Sequence, residues 1–368
     1  MQRKYFIASL SFLLILAIPL LFWVLGIASK PLGGVEKAVE EVELTWESWW
    51  NGAYQRSVSA QLDRNNPVRP DLIRLRGQFM YTVLHKNTSF VIKGLDGQLF
   101  SYEYIDAFNG YTMKPPTHFN AIADSLVQIR HHLDSLGIPM LVYVAPNKAR
   151  ILSESIPESF VRKPDNPTPL SEFTRATQSA GLEITDLNQL LLNAKAAGEP
   201  SAFCNTGIHW NYNGIATVLP TFDTQISAAL NLPPQGLHLN GGEWSNEPYL
   251  KADVDLSEKL NMIAVPDIQP QYVPNVEVSA AWEEKPKILW ISDSYAWGLV
   301  GSKSLFLFSD SWEFWFYNNS VITTSGSKSP IDRSLTPERI KEFDLVIFMG
   351  TESNLRRMPY GFLRDLQQ

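Results

Sequence analysis

Three short segments of the 368-residue chain hold residue types able to do nucleophilic chemistry. The first is Lys287–Gly298, Lys-Ile-Leu-Trp-Ile-Ser-Asp-Ser-Tyr-Ala-Trp-Gly. Its apolar run Ile288–Ile291 suits a buried parallel strand, and Ser292-Asp293-Ser294 ends it abruptly. Tyr295–Leu299 can then begin a helix. Ligands bind at such turns because the helix N-terminal amides point outward there. Ser294 can therefore be a nucleophile beside an oxyanion hole, and it can equally be a helix cap. The second segment, Phe203–Asn211, holds His209. A serine hydroxyl is a poor nucleophile at neutral pH, and His209 could supply the adjacent base it needs. That base in turn needs a group to fix its tautomer. The backbone N–H of Ser294 or Tyr295, or an amide such as that of Asn354, would hold the oxyanion. The third segment, Gly350–Asn354, carries Glu352 and Asn354.

The elements that must position these residues alternate between strand and helix. Phe90–Phe100 reads as a hairpin, with glycine at the tight positions. Phe119–Leu136 is an amphipathic helix closed by Gly137. Ile138–Ala145 is a buried strand, followed by the polar loop Pro146–Arg150. Leu170–Ala180, Asn188–Ala197 and Asn213–Leu230 read as helices, and Leu182–Leu187 as a strand. Residues 231–284 are rich in Pro, Gly and Asn and read as an insertion with short helices. Glu313–Tyr317 is an aromatic strand, Pro337–Glu342 a helix and Asp344–Met349 the last strand. This order predicts a three-layer α/β sandwich with a parallel central sheet. Open sheets of this kind gather their loops along the carboxyl edge, which would bring Ser294, His209 and Glu352 together.

Composition narrows the function classes. A net charge of −7 and the lack of a long Lys/Arg cluster argue against nucleic acid. Cys204 is the only cysteine, so neither an internal disulfide framework nor a multi-cysteine metal site is possible. No metal site is expected. At the N-terminus, residues 1–4 read as a cytoplasmic tail. Residues 5–28 carry no charge, and a helix of about 36 Å is enough to cross a bilayer. Arg3 and Lys4 precede that span, so the positive-inside rule places the remainder outside the cytoplasm. An uncleaved signal anchor in the inner membrane is the expected arrangement, with the bulk of the chain in the periplasm. Residues 29–89 read as a Pro/Gly linker and a helical segment, including a helix over residues 35–55. Trp46, Trp49 and Trp50 on it are expected in core or membrane-interface packing. Residues 90–368 form the main domain.

Several segments in order resemble one family, the SGNH-hydrolase-like alginate O-acetyltransferases. His209-Trp210-Asn211 is similar to the family's Asp-x-His-Trp segment, and Asp293-Ser294-Tyr295 to its nucleophile segment. Gly94–Phe100, Pro146–Ile151, Asp255-Leu256 and the last strand with Glu352 also match in sequence order. The resemblance implies a flavodoxin-like SGNH sandwich, with Ser294 as nucleophile and His209 as base. It also implies an extracytoplasmic polysaccharide as acceptor and no cofactor. A membrane-bound O-acyltransferase partner would deliver the acetyl group. The chain departs from the family where its aspartate should precede the histidine, because Gly207 stands there. Asn205 could orient His209 instead, or Asp293 or Glu352 could serve as the acid. Alternatively, catalysis is lost and the fold serves glycan binding or assembly; an acetyl-ester hydrolase is a further reading. Trp210 and Trp297 could stack on sugars or pack in the core, and Arg356 and Arg357 could attract an acidic glycan.

Overall fold

The computed structural model describes residues 2–34, 38–86, 90–160 and 166–367. The chain divides into two compact units, one of residues 1–88 with 257–266, the other of residues 89–256 with 267–368.

In the larger unit, β1 (Val91–Lys93) and β2 (Leu99–Ser101) form the expected antiparallel hairpin. The central sheet contains β3 (Met140–Ala145), β4 (Thr185–Asp186), β7 (Ile288–Ser292), β8 (Glu313–Phe316), β9 (Ser320–Thr323), β10 (Lys328–Pro330) and β11 (Leu345–Thr351). Their order is β10-β9-β8-β7-β11-β3-β4. The five strands from β8 to β4 run parallel, and β9 and β10 extend the sheet antiparallel. Every residue of β7 and β11 is buried, which is why both read as unbroken apolar runs. Alternate side chains divide the core. Val142, Val144, Leu289, Ile291, Val346 and Phe348 pack with Phe119, Leu126, Leu133 and Phe173, from the helices Pro116–Ser135 and Pro169–Ser179. Tyr143 and Trp290 point to the opposite face and meet Phe222 of the helix Tyr212–Leu230 edge-on. Helices on both faces of a mostly parallel sheet make the three-layer sandwich.

The insertion differs from expectation. Besides short helical turns it carries an antiparallel ribbon of β5 (Leu237–Ser245) and β6 (Gln271–Val278). Most of β5 is exposed, so the one-sided alternation that announces a strand is missing from its sequence.

The smaller unit holds helices Gln2–Val24, Trp46–Trp50, Ala53–Arg64 and Arg69–Thr82. The stretch Tyr5–Val24 is long and apolar enough to cross a membrane. Helix ends earlier than residue 28 because Gly26 takes φ +66° and the Ile27 N–H closes back on the Phe22 carbonyl. The single helix expected over 35–55 is instead two short ones. Residues 35–37 lie outside the described residues. A reciprocal Thr45–Ser48 cap starts the first helix, and Gly52 at φ +76° separates it from the second. Trp46, Trp49 and Trp50 are exposed rather than in a core.

Candidate active site

β7 ends at Ser292, and the next three residues turn into the helix Ala296–Gly301. Asp293 makes the turn rigid. Its Oδ1 accepts the Tyr295 N–H at 3.0 Å, while Oδ2 accepts the Thr351 N–H and hydroxyl, both at 2.8 Å, and the Asn354 amide at 3.0 Å. The buried carboxylate thus ties the end of β7 to the end of β11. Ser294, beside it, is only partly buried.

The His209 loop reaches the same edge through different contacts. Lys148, buried just beyond β3, donates to the carbonyls of Cys204 (2.6 Å), Asn205 (3.2 Å) and Gly207 (2.8 Å). Burial lowers this ammonium to about 7, against the opposing pull of Cys204 and Asp255. From the other side, the Thr206 hydroxyl donates to the Asp253 carbonyl at 2.6 Å, and the Leu256 N–H to the Thr206 carbonyl at 3.1 Å. Gly207 packs directly on this second segment. A Cβ there would stand 2.5 Å from the Ala252 carbonyl oxygen. An aspartate at this position would have to push that backbone aside.

The packing that crowds position 207 brings in a carboxylate from elsewhere. Asp255 Oδ2 lies 2.8 Å from His209 Nδ1, and Oδ1 accepts the Ile208 N–H at 2.9 Å. His209 Nε2 lies 2.9 Å from Ser294 Oγ. Serine, histidine and aspartate therefore form one hydrogen-bonded line, with the His209 and Asp255 side chains 14% and 18% exposed. With the nitrogen facing Asp255 protonated, Nε2 is free to accept the serine proton.

Three residues weighed as the orienting group make other bonds. Asn205 binds the Asp267 carbonyl and the Gln269 N–H. Asp293 fastens the strand ends as described. Glu352, fully buried, takes Arg150 on both oxygens (2.6 and 3.2 Å) and the Asn147 amide at 3.1 Å. The missed residue was Asp255. Its only signal was the Asp255-Leu256 match, whose sequence distance from His209 hid its place beside the imidazole.

Two of the expected oxyanion donors are also committed. The Tyr295 N–H goes to Asp293, and the Asn354 amide goes to Asp293 Oδ2 and the Thr351 and Tyr317 hydroxyls. Among the described residues nothing accepts the Ser294 N–H. Tyr295 serves packing instead. Its ring lies 4.9 Å from that of His209 and 6.1 Å from that of Tyr104, and its hydroxyl donates to the Ile208 carbonyl at 2.9 Å. Burial holds that phenol well above its ordinary value. Trp210 is fully buried and donates to the Tyr295 carbonyl at 3.2 Å, so it is a core residue and not a sugar platform. Gly298 permits this fit, since a Cβ there would stand 2.7 Å from the indole nitrogen. Trp297 is 36% exposed and stands edge-on to Phe314 and Phe316. Arg356 lies 3.8 Å from Glu103, and Arg357 is exposed over the Tyr317 ring. Cys204 is buried, and burial and Asp253 raise its thiol.

The family model described as "SGNH hydrolase-like domain, acetyltransferase AlgX" matches residues 91–306, more than half of the chain and including Ser294, His209 and Asp255. The chain belongs to that family. It is 26% identical over 203 residues to the "Probable alginate O-acetylase AlgJ" of Pseudomonas aeruginosa, covering 52% of this chain and 48% of that relative. The match thus spans about half the length of the relative. Among solved structures, the O-acetyltransferase domain of Pseudomonas putida AlgJ aligns with a TM-score of 0.50 at 18% identity, over 76% of this chain and 99% of that one. That likeness supports the SGNH-like fold of this AlgX-family chain.

Proposed function

We propose that the chain is an O-acetyltransferase acting on an extracytoplasmic polysaccharide through an acetyl-Ser294 intermediate. The observation that carries this is the Ser294–His209–Asp255 line, with links of 2.9 and 2.8 Å. In the first half-reaction, Ser294 Oγ attacks the carbonyl carbon of an acetyl ester as its proton moves to His209 Nε2. Asp255 stabilises the imidazolium that forms. The Ser294 N–H, which no group among the described residues accepts, is the proposed donor to the tetrahedral oxyanion. Collapse breaks the bond to the donor oxygen, which takes the proton from Nε2 and leaves as an alcohol. In the second half-reaction a sugar hydroxyl gives its proton to Nε2 and attacks the acetyl-serine. The ester passes to the sugar, and the proton returns to Ser294.

Membership in an alginate acetylation family supports a polysaccharide acceptor. The apolar N-terminal helix supports attachment to the inner membrane with the catalytic unit in the periplasm. A membrane-bound O-acyltransferase partner is the proposed acetyl source, on the resemblance to the family. A purely glycan-binding component would have no use for a Ser–His contact of this geometry, which favours the enzyme reading. Hydrolysis uses the same acyl-enzyme, so the fate of the acetyl group separates the two activities. The test is mass spectrometry of the Ser294 peptide after exposure to an activated acetyl ester, together with acetyl transfer to an oligosaccharide. One acetyl group on Ser294 and transfer outpacing release to water are expected. Ser294→Ala should lower transfer by roughly 10⁴-fold or more. Transfer persisting at near wild-type rate in that variant rejects the mechanism.

A further inference from the structure

The helix Arg69–Thr82 of the smaller unit is apolar on the side turned away from that unit. Leu72, Leu75, Phe79 and Val83 recur at helical spacing and are 52% to 59% exposed, with Arg76 in the same stripe. The opposite face is the packed one. Ile73, Met80 and Tyr81 are half-buried there, and a Cβ on Gly77 would stand 2.8 Å from the Asn261 carbonyl oxygen. The Ala264 N–H donates to Gln78 Oε1 at 2.8 Å, which sets the exposed Ile263 and Val265 beside the helix. A helix apolar on both faces needs a second apolar environment.

The course of the chain indicates what that environment is. If Tyr5–Val24 crosses a membrane, its last turn marks the outer edge of the hydrocarbon. The Ile27 N–H closes back on the Phe22 carbonyl at 2.9 Å, and Ser29 follows two residues later, at most about 7 Å away. The Ser29 hydroxyl lies 2.5 Å from both the Pro67 carbonyl and an Asp71 carboxylate oxygen. The Arg74 guanidinium donates to the carbonyls of Lys30 (2.5 Å) and Pro31 (2.7 Å). These bonds hold the first turns of Arg69–Thr82 at the depth of the headgroup layer, which is about 5–8 Å thick. Charge points the same way. Residues 64–86 hold five basic side chains and one acid, Asp71, and no carboxylate among the described residues pairs with Arg76. The exposed Trp46 and Trp50, by contrast, lie in or near Glu40–Glu47, which has four acids and no basic residue.

We infer that the helix Arg69–Thr82 lies in the headgroup region of the outer leaflet, with Leu72, Leu75, Phe79 and Val83 against the acyl chains and Arg76 on an anionic phospholipid. The inference rests on the reading of Tyr5–Val24 as a membrane span and adds a second contact with the same bilayer. A basic helix with an exposed apolar stripe is what an anionic lipid surface binds. The contact fixes the smaller unit on the membrane surface, where a span alone would leave it on a tether.

Fluorescence quenching of the full-length protein in vesicles of phosphatidylcholine and phosphatidylglycerol tests it. Cys204 is buried, so a fluorophore goes to the new thiol of Phe79→Cys or, in a separate protein, of Phe12→Cys in the span. A nitroxide lipid labelled just below the headgroups should remove about half or more of the emission at 79, and aqueous iodide little. Adding Leu72→Asp and Leu75→Asp, both at exposed positions, should reverse the two. Replacing phosphatidylglycerol by phosphatidylcholine should lower the lipid quenching about twofold, and Arg76→Glu should do the same with phosphatidylglycerol present. A label at 79 that iodide reaches and the nitroxide does not overturns the inference. So does one shielded from both, which marks a protein partner or a second copy. Equal lipid quenching without phosphatidylglycerol overturns the role given to Arg76. The label at 12 separates the premise from the inference. If a deep nitroxide quenches it while the label at 79 stays bright, the span stands and the interfacial contact falls; if neither is quenched, both fall. Acetyl transfer plays no part in the readout.

Discussion

Asp293 and Asp255 stand on opposite sides of the proposed catalytic pair, and they do different things. Asp293 adjoins the serine in sequence. Its carboxylate is fully buried, and each oxygen accepts hydrogen bonds from neighbouring backbone, hydroxyl or amide donors. Asp255 is 46 residues from the histidine, partly exposed, and gives one oxygen to a backbone N–H and the other to His209. A carboxylate saturated by main-chain and amide donors builds a turn. One that keeps an oxygen for an imidazole can stabilise a proton in transit. Proximity in sequence to the nucleophile was therefore a poor guide to which aspartate touches the histidine.

The largest expected effect separates the two directly. Asp255→Asn should leave a folded protein whose acetyl turnover falls by about 10⁴, because the amide favours the wrong histidine tautomer. Turnover within tenfold of wild type would remove Asp255 from the mechanism. Asp293→Asn should instead show first as lost stability, about 2–3 kcal/mol from the weakened charge-assisted bonds. Thermal unfolding checks this. If that variant unfolds normally yet loses turnover as Asp255→Asn does, the contrast between the aspartates is wrong.

Gly207 gives a sharper form of the comparison. Restoring the family's residue as Gly207→Asp in an Asp255→Asn background should not rescue activity. The added side chain should cost about 1–3 kcal/mol by pushing the 252–253 backbone away. Recovered turnover in the double variant would mean that the loop moves freely enough to accept the local acid.

The last expected effect is a pH slope and concerns Lys148, which holds the histidine loop from behind. Its folded value of about 7 lies below the ordinary 10.5. Between those values the unfolded chain carries a proton that the folded one has released, so this group makes stability rise with pH across the window. Below about 7 both states are protonated and the contribution is flat. Lys148→Met should flatten the rise between pH 7 and 10.5, read from denaturant midpoints. An unchanged slope would show that the lysine keeps its ordinary proton affinity when folded.

Much of this was legible in the residues themselves. Ile288–Ser292 and Leu345–Thr351 are continuous apolar runs because helices cover both faces of the sheet, and their polar ends mark its carboxyl edge. Ser294 and His209 stood out because small polar residues follow a strand in one case and precede a long helix in the other. The roles of Trp210 and Asn354 were not legible. A tryptophan beside a histidine reads alike whether it faces solvent or the core, and an amide reads alike whether free or bound to a carboxylate. The ribbon of β5 and β6 was missed because most of β5 is exposed and its sequence shows no one-sided alternation.

By itself the sequence determined the alternating α/β order, the apolar N-terminal span, and the serine and histidine on loops that such a sheet collects at one edge. Those features follow from local periodicity and from the direction of parallel strands. Only the tertiary structure decided which carboxylate meets the histidine. That choice depends on the Thr206–Gly207 turn closing on residues 252–256, a contact between segments far apart in the chain. The absent side chain at Gly207 looked like a missing acid. In the folded protein it is the space that lets Asp255 approach.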